Sequence, residues 1–306
     1  MTNTSIKILI LGILILSQSC QKDVKSAIME ERIWKTGWQM IEYSWDEKYE
    51  LAEVKFDSLL STNKKLSDKF LIEGLKIKFE LSKEKEVLKI FSNQSDKVKS
   101  TVCEQDFAKD LEPCKDIPQE KVLNEQLQLK IIELFLQDQA VRGNIMNNLI
   151  SKHQIDTSAT NTEQGYWLDP EYINVDEVTR NQLKEIFNEY GFPTRQLVGK
   201  DAMNGVFYII QHSDGDKNWQ KSQLPNIELA IKKGDLDRQL YAYLYDRIQV
   251  GNGGQQKYGT QLLNVDRTKK TVQLLDTEDL ENLNQRRREV GLSPIETYKR
   301  LVLRQQ

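Results

Sequence analysis

Of the two histidines in the chain, His212 lies in the run Gln-His-Ser-Asp-Gly-Asp (211–216), two residues before Asp214. Imidazole titrates near neutrality, with an unperturbed pKa of about 6.5, so His212 is the natural general acid or base. Asp246 and Arg247 follow, then the glycine-rich run Gly-Asn-Gly-Gly-Gln-Gln-Lys-Tyr-Gly-Thr-Gln (251–261). Such loops are where a backbone approaches a ligand. Upstream, Asp138, Gln139 and Arg142 fall on one helix, and Asp138 and Arg142, four apart, share a face and can pair. The catalytic set read from these residues is His212, Asp214 and Asp246. Either Asp214, through a turn, or Asp246, from a neighbouring helix, orients the imidazole. Arg142, Arg247 and the amides around Gly253 and Gly254 hold an anion or a developing oxyanion. Gln139, Gln256, Tyr258, Thr260, Gln261 and Asp138 complete the ligand-binding set. Together they suit hydrolysis or transfer on a polar substrate: a peptide, a glycan or a phosphate ester.

The same residues support a structural reading. A histidine at a helix end, bonded to Asp138 or Asp246, satisfies buried polar groups. Asp138, Arg142, Asp246 and Arg247 then serve as ion pairs between helices, and Tyr258 and Gln261 pin the loop. Arg286, Arg287 and Arg288 read as the basic last turn of a helix. Familiar alternatives are missing: there is no Gly-x-Ser-x-Gly elbow, no His-Glu-x-x-His pair, and no Gly-Lys-Ser/Thr ending to the glycine loop. Two histidines and one cysteine pair point to no metal site, and no cofactor is expected.

The elements that must position these groups are mainly α. From Ala27 to about Phe91 the pattern is helical, with Trp34, Trp38, Ile41 and Trp45, then Leu51, Val54 and Leu59, forming an apolar stripe. Gly37, Tyr43, Tyr49, Ala52 and Phe56 are spaced somewhat like a tetratricopeptide hairpin, and a weaker second pass runs through Gly74, Phe79 and Ile90. This is either a small partner-binding arm or an ordinary helical hairpin. Residues 92–120 read as a loop or boundary. A helical stretch spans Glu120–Lys152, a polar linker containing His153 spans Ser151–Tyr166, and His153 is expected to be solvated. Helices follow over Asp176–Tyr190, about Lys200–Gln211, Gln223–Lys233, Asp235–Gln249 and Thr277–Val290, with a tail helix after Pro294. Thr260–Val265 and Thr271–Leu275 form one β-hairpin. The fold class is therefore helical N-terminal hairpins followed by a helical C-terminal domain with one small β-hairpin. The boundaries are 1–20 for a signal, 21–115 for the helical N-terminal region and 120–306 for the C-terminal domain.

From about Leu134 onward the chain resembles an uncharacterised bacterial domain family. The resemblance is carried by Asp-Gln-Ala-Val-Arg (138–142), Tyr-Gly-Phe-Pro-Thr (190–194) with Val-Gly (198–199), and Gln-His-Ser-Asp (211–214). It continues through Tyr-Asp-Arg-Ile (245–248), Gln-Lys-Tyr-Gly-Thr-Gln (256–261), and Arg-Arg (286–287) with Val-Gly-Leu-Ser-Pro (290–294). It implies the domain boundary and the choice of polar positions, and nothing about substrate.

Residues 1–20 hold a lone Lys7, a nine-residue apolar run from Ile8 to Leu16, and Ser-Gln-Ser-Cys. This describes an export signal whose apolar run is shorter than the roughly 20 residues of a membrane span. Ser19-Cys20 resembles the lipobox of bacterial lipoproteins, which implies lipidation at Cys20; an ordinary cleaved signal is the alternative. Cys103 and Cys114 are the even pair that remains, expected to form a disulfide in an exported protein. The expected location is the bacterial cell envelope, lipid-anchored at the outer membrane on its periplasmic or surface face. The membrane, through the N-terminal lipid, is thus one partner, and an unknown small ligand or envelope protein the other. With 43 basic and 46 acidic side chains, a formal charge of −3, there is no electrostatic reason to expect nucleic acid. Two functions follow: a lipid-anchored hydrolase or transferase using His212, or a non-catalytic envelope lipoprotein that binds a partner or small ligand.

Overall fold

The computed structural model describes residues 25–109, 111–115, 120–155 and 174–304. The expected export signal, Cys20 and most of the expected 151–166 linker lie outside them. Among the described residues the chain is mainly α-helical, with a single two-stranded antiparallel sheet. None of these helices is long and apolar enough to cross a membrane. The chain divides into two compact units, residues 1–118 with 296–298, and residues 119–295 with 299–306.

The first unit is a run of helices: α1 (25–45), α2 (Tyr49–Leu60), α3 (Asp68–Glu80), α4 (Glu84–Ser92) and α5 (Asp96–Cys103). Trp34, Trp38 and Ile41 are buried as the three- and four-residue spacing predicts. The stripe then rotates: Trp45, Leu51 and Val54 are exposed, and α2 buries Ala52, Phe56 and Leu59 instead. Two glycines set the packing distances. A Cβ on Gly74 would lie 2.1 Å from the Phe56 ring, and one on Gly37 would lie 2.4 Å from the Phe70 ring, so each ring seats directly on helix backbone. Lys78 of α3, nearly sealed from solvent, meets Glu53 (2.8 Å) and Asp57 (3.0 Å) of α2 and Glu86 (2.7 Å) of α4, tying three helices by charge. The segment 92–120 is more ordered than its polarity suggests. Val98 and Val102, one turn apart and buried, give α5 an inward face, and the Cys103–Cys114 disulfide (Cα–Cα 5.2 Å) closes the turns that follow.

The second unit holds α6 (Glu125–Ala140), α7 (Asn147–His153), α8 (Val175–Tyr190), α9 (Arg195–Gln211), α10 (Lys217–Ser222), α11 (Leu224–Lys233) and α12 (Arg238–Gly251). Strands β1 (Leu262–Asp266) and β2 (Thr271–Leu274) and helix α13 (Leu283–Glu289) follow, and α14 (Ile295–Arg304), whose residues 296–298 are grouped with the first unit, is the last described element. The stretch expected as one helix over Glu120–Lys152 is two. Gly143, at φ +74°, ends the first in a left-handed turn that only glycine adopts without strain. Asp216 caps the short α10 through the Trp219 amide, a helix its polar sequence conceals. The expected helix over Thr277–Val290 starts late. Thr277 instead bridges to Gln256, a 3-10 turn spans Leu280–Asn282, and α13 begins at Leu283.

The pair α6 and α9 forms the spine. The two run parallel: Leu123 and Asn124 amides, just before α6, bond the Gln196 (3.1 Å) and Leu197 (3.0 Å) carbonyls near the start of α9. Phe135 stacks on Tyr208 further along, with centroids 5.3 Å apart and planes within 9°. Gly205 makes this approach possible, because a Cβ there would lie 2.8 Å from Phe135 Cβ. Gly205→Ala is therefore expected to force the helices apart and cost about 1–3 kcal/mol, the usual range for overpacking, read from chemical denaturation.

Candidate active site

Parallel packing of α6 and α9 carries one consequence for their C-terminal ends. Three residues beyond Phe135 comes Asp138, four beyond Tyr208 comes His212, and the two side chains meet. His212 Nδ1 lies 2.9 Å from Asp138 Oδ1 and 2.8 Å from Oδ2, and the carboxylate is completely buried. With Nδ1 against both carboxylate oxygens, the tautomer that donates Nδ1–H to Asp138 leaves the lone pair on Nε2. Among the described residues Nε2 has no hydrogen-bond partner, and the His212 side chain is 12 % exposed. Tyr208 supports the other side of the imidazole, its ring 6.1 Å away.

Asp138 is itself held. Gln139 Nε2 donates to Oδ2 (2.9 Å), Arg142 Nη1 bonds the Asp138 backbone carbonyl and lies 3.3 Å from Oδ1, and Asn144 orients Gln139 by donating to its Oε1 (2.8 Å). Arg142 also reaches α8, where Nη2 donates to Asp176 (2.7 Å). Asp214 does not bond His212. It accepts from Arg247 Nε (3.0 Å) and Gln220 Nε2 (3.1 Å). Burial pushes its carboxyl up, but the hydrogen bonds and charge of Arg247, with Gln220 and His212 adding to them, hold it below the ordinary range. Asp214 therefore stays anionic near the imidazole without orienting it.

Asp246, the next residue before Arg247, faces the opposite way and plays a different part. It is completely buried and accepts from the amides of Lys257 (2.7 Å), Tyr258 (3.0 Å) and Thr260 (2.9 Å), and from Thr260 Oγ1 (2.9 Å). Burial raises its carboxyl above the usual range, and these four bonds oppose that. Gln256, also completely buried, donates to the Gln261 (3.0 Å) and Leu275 (2.9 Å) carbonyls and accepts from the Gln261 amide (2.8 Å); Gln261 in turn donates to Thr260 Oγ1 (3.1 Å). Arg287, with no exposed surface, donates to the Tyr258 (2.6 Å), Gly259 (3.0 Å) and Ser293 (2.6 Å) carbonyls. Arg286 donates to the Lys257 carbonyl (2.8 Å). Tyr258 sits in a small core with Ala242 and Leu292, and burial lifts its phenol to about 12. The Gly253 and Gly254 amides bond the Val250 (2.9 Å) and Gln249 (2.8 Å) carbonyls and so close the end of α12.

The polar residues thus separate into two groups. His212, Asp138, Gln139, Arg142, Asp214 and Arg247 form the candidate site. Asp246, Gln256, Tyr258, Thr260, Gln261 and the arginines of α13 form a knot that fixes the loop. The anion cradle expected at Gly253 and Gly254 is absent because those amides are spent on the helix end. The imidazole partner is Asp138, neither Asp214 nor Asp246. Among the described residues no group of three or more His, Cys, Asp or Glu side chains could hold a metal ion.

A family model for a family of unknown function, DUF6624, matches residues 126–305. The chain belongs to the DUF6624 family. No curated protein and no solved structure matches it. The DUF6624 region takes in both polar groups, from Asp138 to Arg287, and the whole α6–α9 pair that brings the dyad together.

Sequence reasoning misses the roles of four residues in the DUF6624 region, Asp176, Arg180, His153 and Lys152. Asp176 and Arg180, a turn apart on α8, show in the sequence only as part of a helix; Arg180 occupies the inward face beside Val175, Thr179, Leu183 and Ile186, and a charge in an apolar stripe is the available signal. His153, expected in solvent, is mostly buried and bonds Asp201 of α9 (2.9 Å). Lys152 pairs with the same carboxylate (2.8 Å). Burial raises the Asp201 carboxyl, but His153 and Lys152 outweigh it and bring the carboxyl down to about 2. A lowered folded value means stability that is complete above the ordinary pKa and is lost as pH falls through the folded one. The unit is therefore expected to lose about 2 kcal/mol between about pH 4 and pH 2 through this group. Asp201→Asn should flatten that part of the pH–stability curve measured by denaturation.

Proposed function

We propose that the protein is a lipid-anchored enzyme of the cell envelope, a hydrolase or transferase that uses His212 as general acid–base on a polar substrate. The carrying observation is the buried Asp138 carboxylate on His212 Nδ1 with Nε2 left open. In such a pair the carboxylate selects the tautomer and stabilises the imidazolium formed when Nε2 takes a proton. Nε2 then removes a proton from water or from an acceptor hydroxyl and returns it to the leaving group. Asp214, anionic beside the imidazole, adds to the stabilisation of the cation. The lipobox-like Ser19-Cys20 supports the anchor and the Cys103–Cys114 disulfide supports an oxidising compartment.

The test is a thermal-shift screen of wild type and His212→Gln against cell-wall fragments, nucleotides and peptides. Turnover of a stabilising fragment by wild type and none by His212→Gln, at an unchanged melting temperature, is the expected result. A ligand that is bound equally by both proteins and turned over by neither favours the binding lipoprotein instead. A variant that simply melts earlier assigns the dyad to structure.

A further inference from the structure

Arg180 of α8 is only 7 % exposed, yet it donates no hydrogen bond to any described residue, and its Nε is sealed from solvent without a partner. An Nε–H in that condition forfeits both hydration and a hydrogen bond, which is costly unless something compensates. Its acidic neighbours are already engaged. Asp176, one turn earlier on α8, takes Arg142 (2.7 Å). Asp216 takes Lys184 (2.8 Å) and the Trp219 amide (3.1 Å), and Asp214 takes Arg247 (3.0 Å). Asp216 also feels the charge of Arg180, but none of these acids accepts a hydrogen bond from it.

Its place is the turn that follows His212. A Cβ on Gly215 would stand 3.3 Å from Arg180 Nη1 and 4.0 Å from Nη2. Gly215 lies in the 3-10 turn Asp214–Asp216 and its φ is not in the left-handed region, so backbone conformation does not demand glycine there. What glycine provides is a turn without a side chain, so the guanidinium lies directly against its backbone, three positions along the chain from His212.

We propose that Arg180 is an oxyanion-binding residue of the His212 site, taking a phosphoryl or carboxylate group of the substrate in its planar fork. This rests on the acid–base reading of His212 and adds the substrate's charge to it. The arginines expected to do this work, Arg142 and Arg247, are each held by an aspartate. The guanidinium that remains for an anion is the one with no hydrogen-bonded carboxylate.

The test is titration of the full chain with inorganic phosphate and, separately, with acetate at constant ionic strength, reading the Arg180 Nε–H resonance and the melting temperature. Phosphate or acetate should move that resonance and raise the melting temperature of wild type, the effective anion naming the oxyanion. Arg180→Leu should bind at least about tenfold more weakly, the loss expected for a charge-assisted bond, while melting no lower than wild type. Gly215→Ala, which fills the space and keeps the charge, should also weaken binding. His212→Gln should bind the anion while turning nothing over; a wild type that binds the anion at Arg180 and turns over no fragment removes the acid–base reading and leaves the anion site standing. If neither anion moves the Arg180 resonance at tens of millimolar, or if Arg180→Leu and Gly215→Ala bind as wild type does, the assignment of Arg180 is overturned.

Discussion

His212→Gln is expected to lower turnover by about 10²–10⁴-fold, the usual worth of a positioned acid–base group, while leaving the fold intact. The side chain is largely but not wholly enclosed, and glutamine retains a donor that can reach Asp138, so no buried charge is stranded. Asp138→Asn should follow by a different route. Asparagine accepts the Nδ1 proton poorly and favours the other tautomer, so the imidazole remains while its open nitrogen changes character. The loss of rate should then approach that of His212→Gln, and the double variant should be no worse than the single ones, because the two residues act as a unit. Rates that multiply in the double variant would mean that Asp138 and His212 act separately.

Asp246→Ala is expected to cost stability on the order of 3–5 kcal/mol, the range for breaking a buried polar network. The loop amides of Lys257, Tyr258 and Thr260 converge on this one carboxylate, and its removal leaves them buried without an acceptor. Arg287, which holds the Tyr258 and Gly259 carbonyls from the other side, then anchors a loop that is no longer closed. Hydrogen exchange of residues 256–261 should accelerate along with the fall in melting temperature. If Asp246→Ala instead melted like wild type and lost turnover, Asp246 would be a catalytic group and the division of the polar residues would be wrong.

The contrast between Asp138 and Asp246 shows where reading a sequence succeeds and where it stops. Polar density around His212 and the Asp138–Arg142 pair follow from local spacing, since residues four apart on a helix must share a face. The partner of His212 does not. It depends on α6 and α9 running parallel with Gly205 at their crossing, 74 positions apart in the chain at the dyad itself. Asp246 and Arg247 are adjacent, yet successive residues on a helix point about 100° apart, so one serves the loop and the other Asp214. The fold class was legible because helical periodicity is a local property, and β1 and β2 because alternation is too. Breaks were harder: Gly143 splits a stretch whose apolar spacing runs on, and α10 rests on a cap and too few apolar residues to show. Arg180 and His153 share a cause. A polar side chain announces nothing about its burial until the elements that cover it are placed.

The most direct measurement is the nitrogen spectrum of the His212 imidazole at alkaline pH. A buried Asp138 carboxylate on Nδ1 predicts a pyrrole-type Nδ1 that carries the proton and a pyridine-type Nε2 that does not, with the pattern lost in Asp138→Asn. A proton on Nε2 in the wild-type protein would contradict the dyad and, with it, the acid–base role of His212.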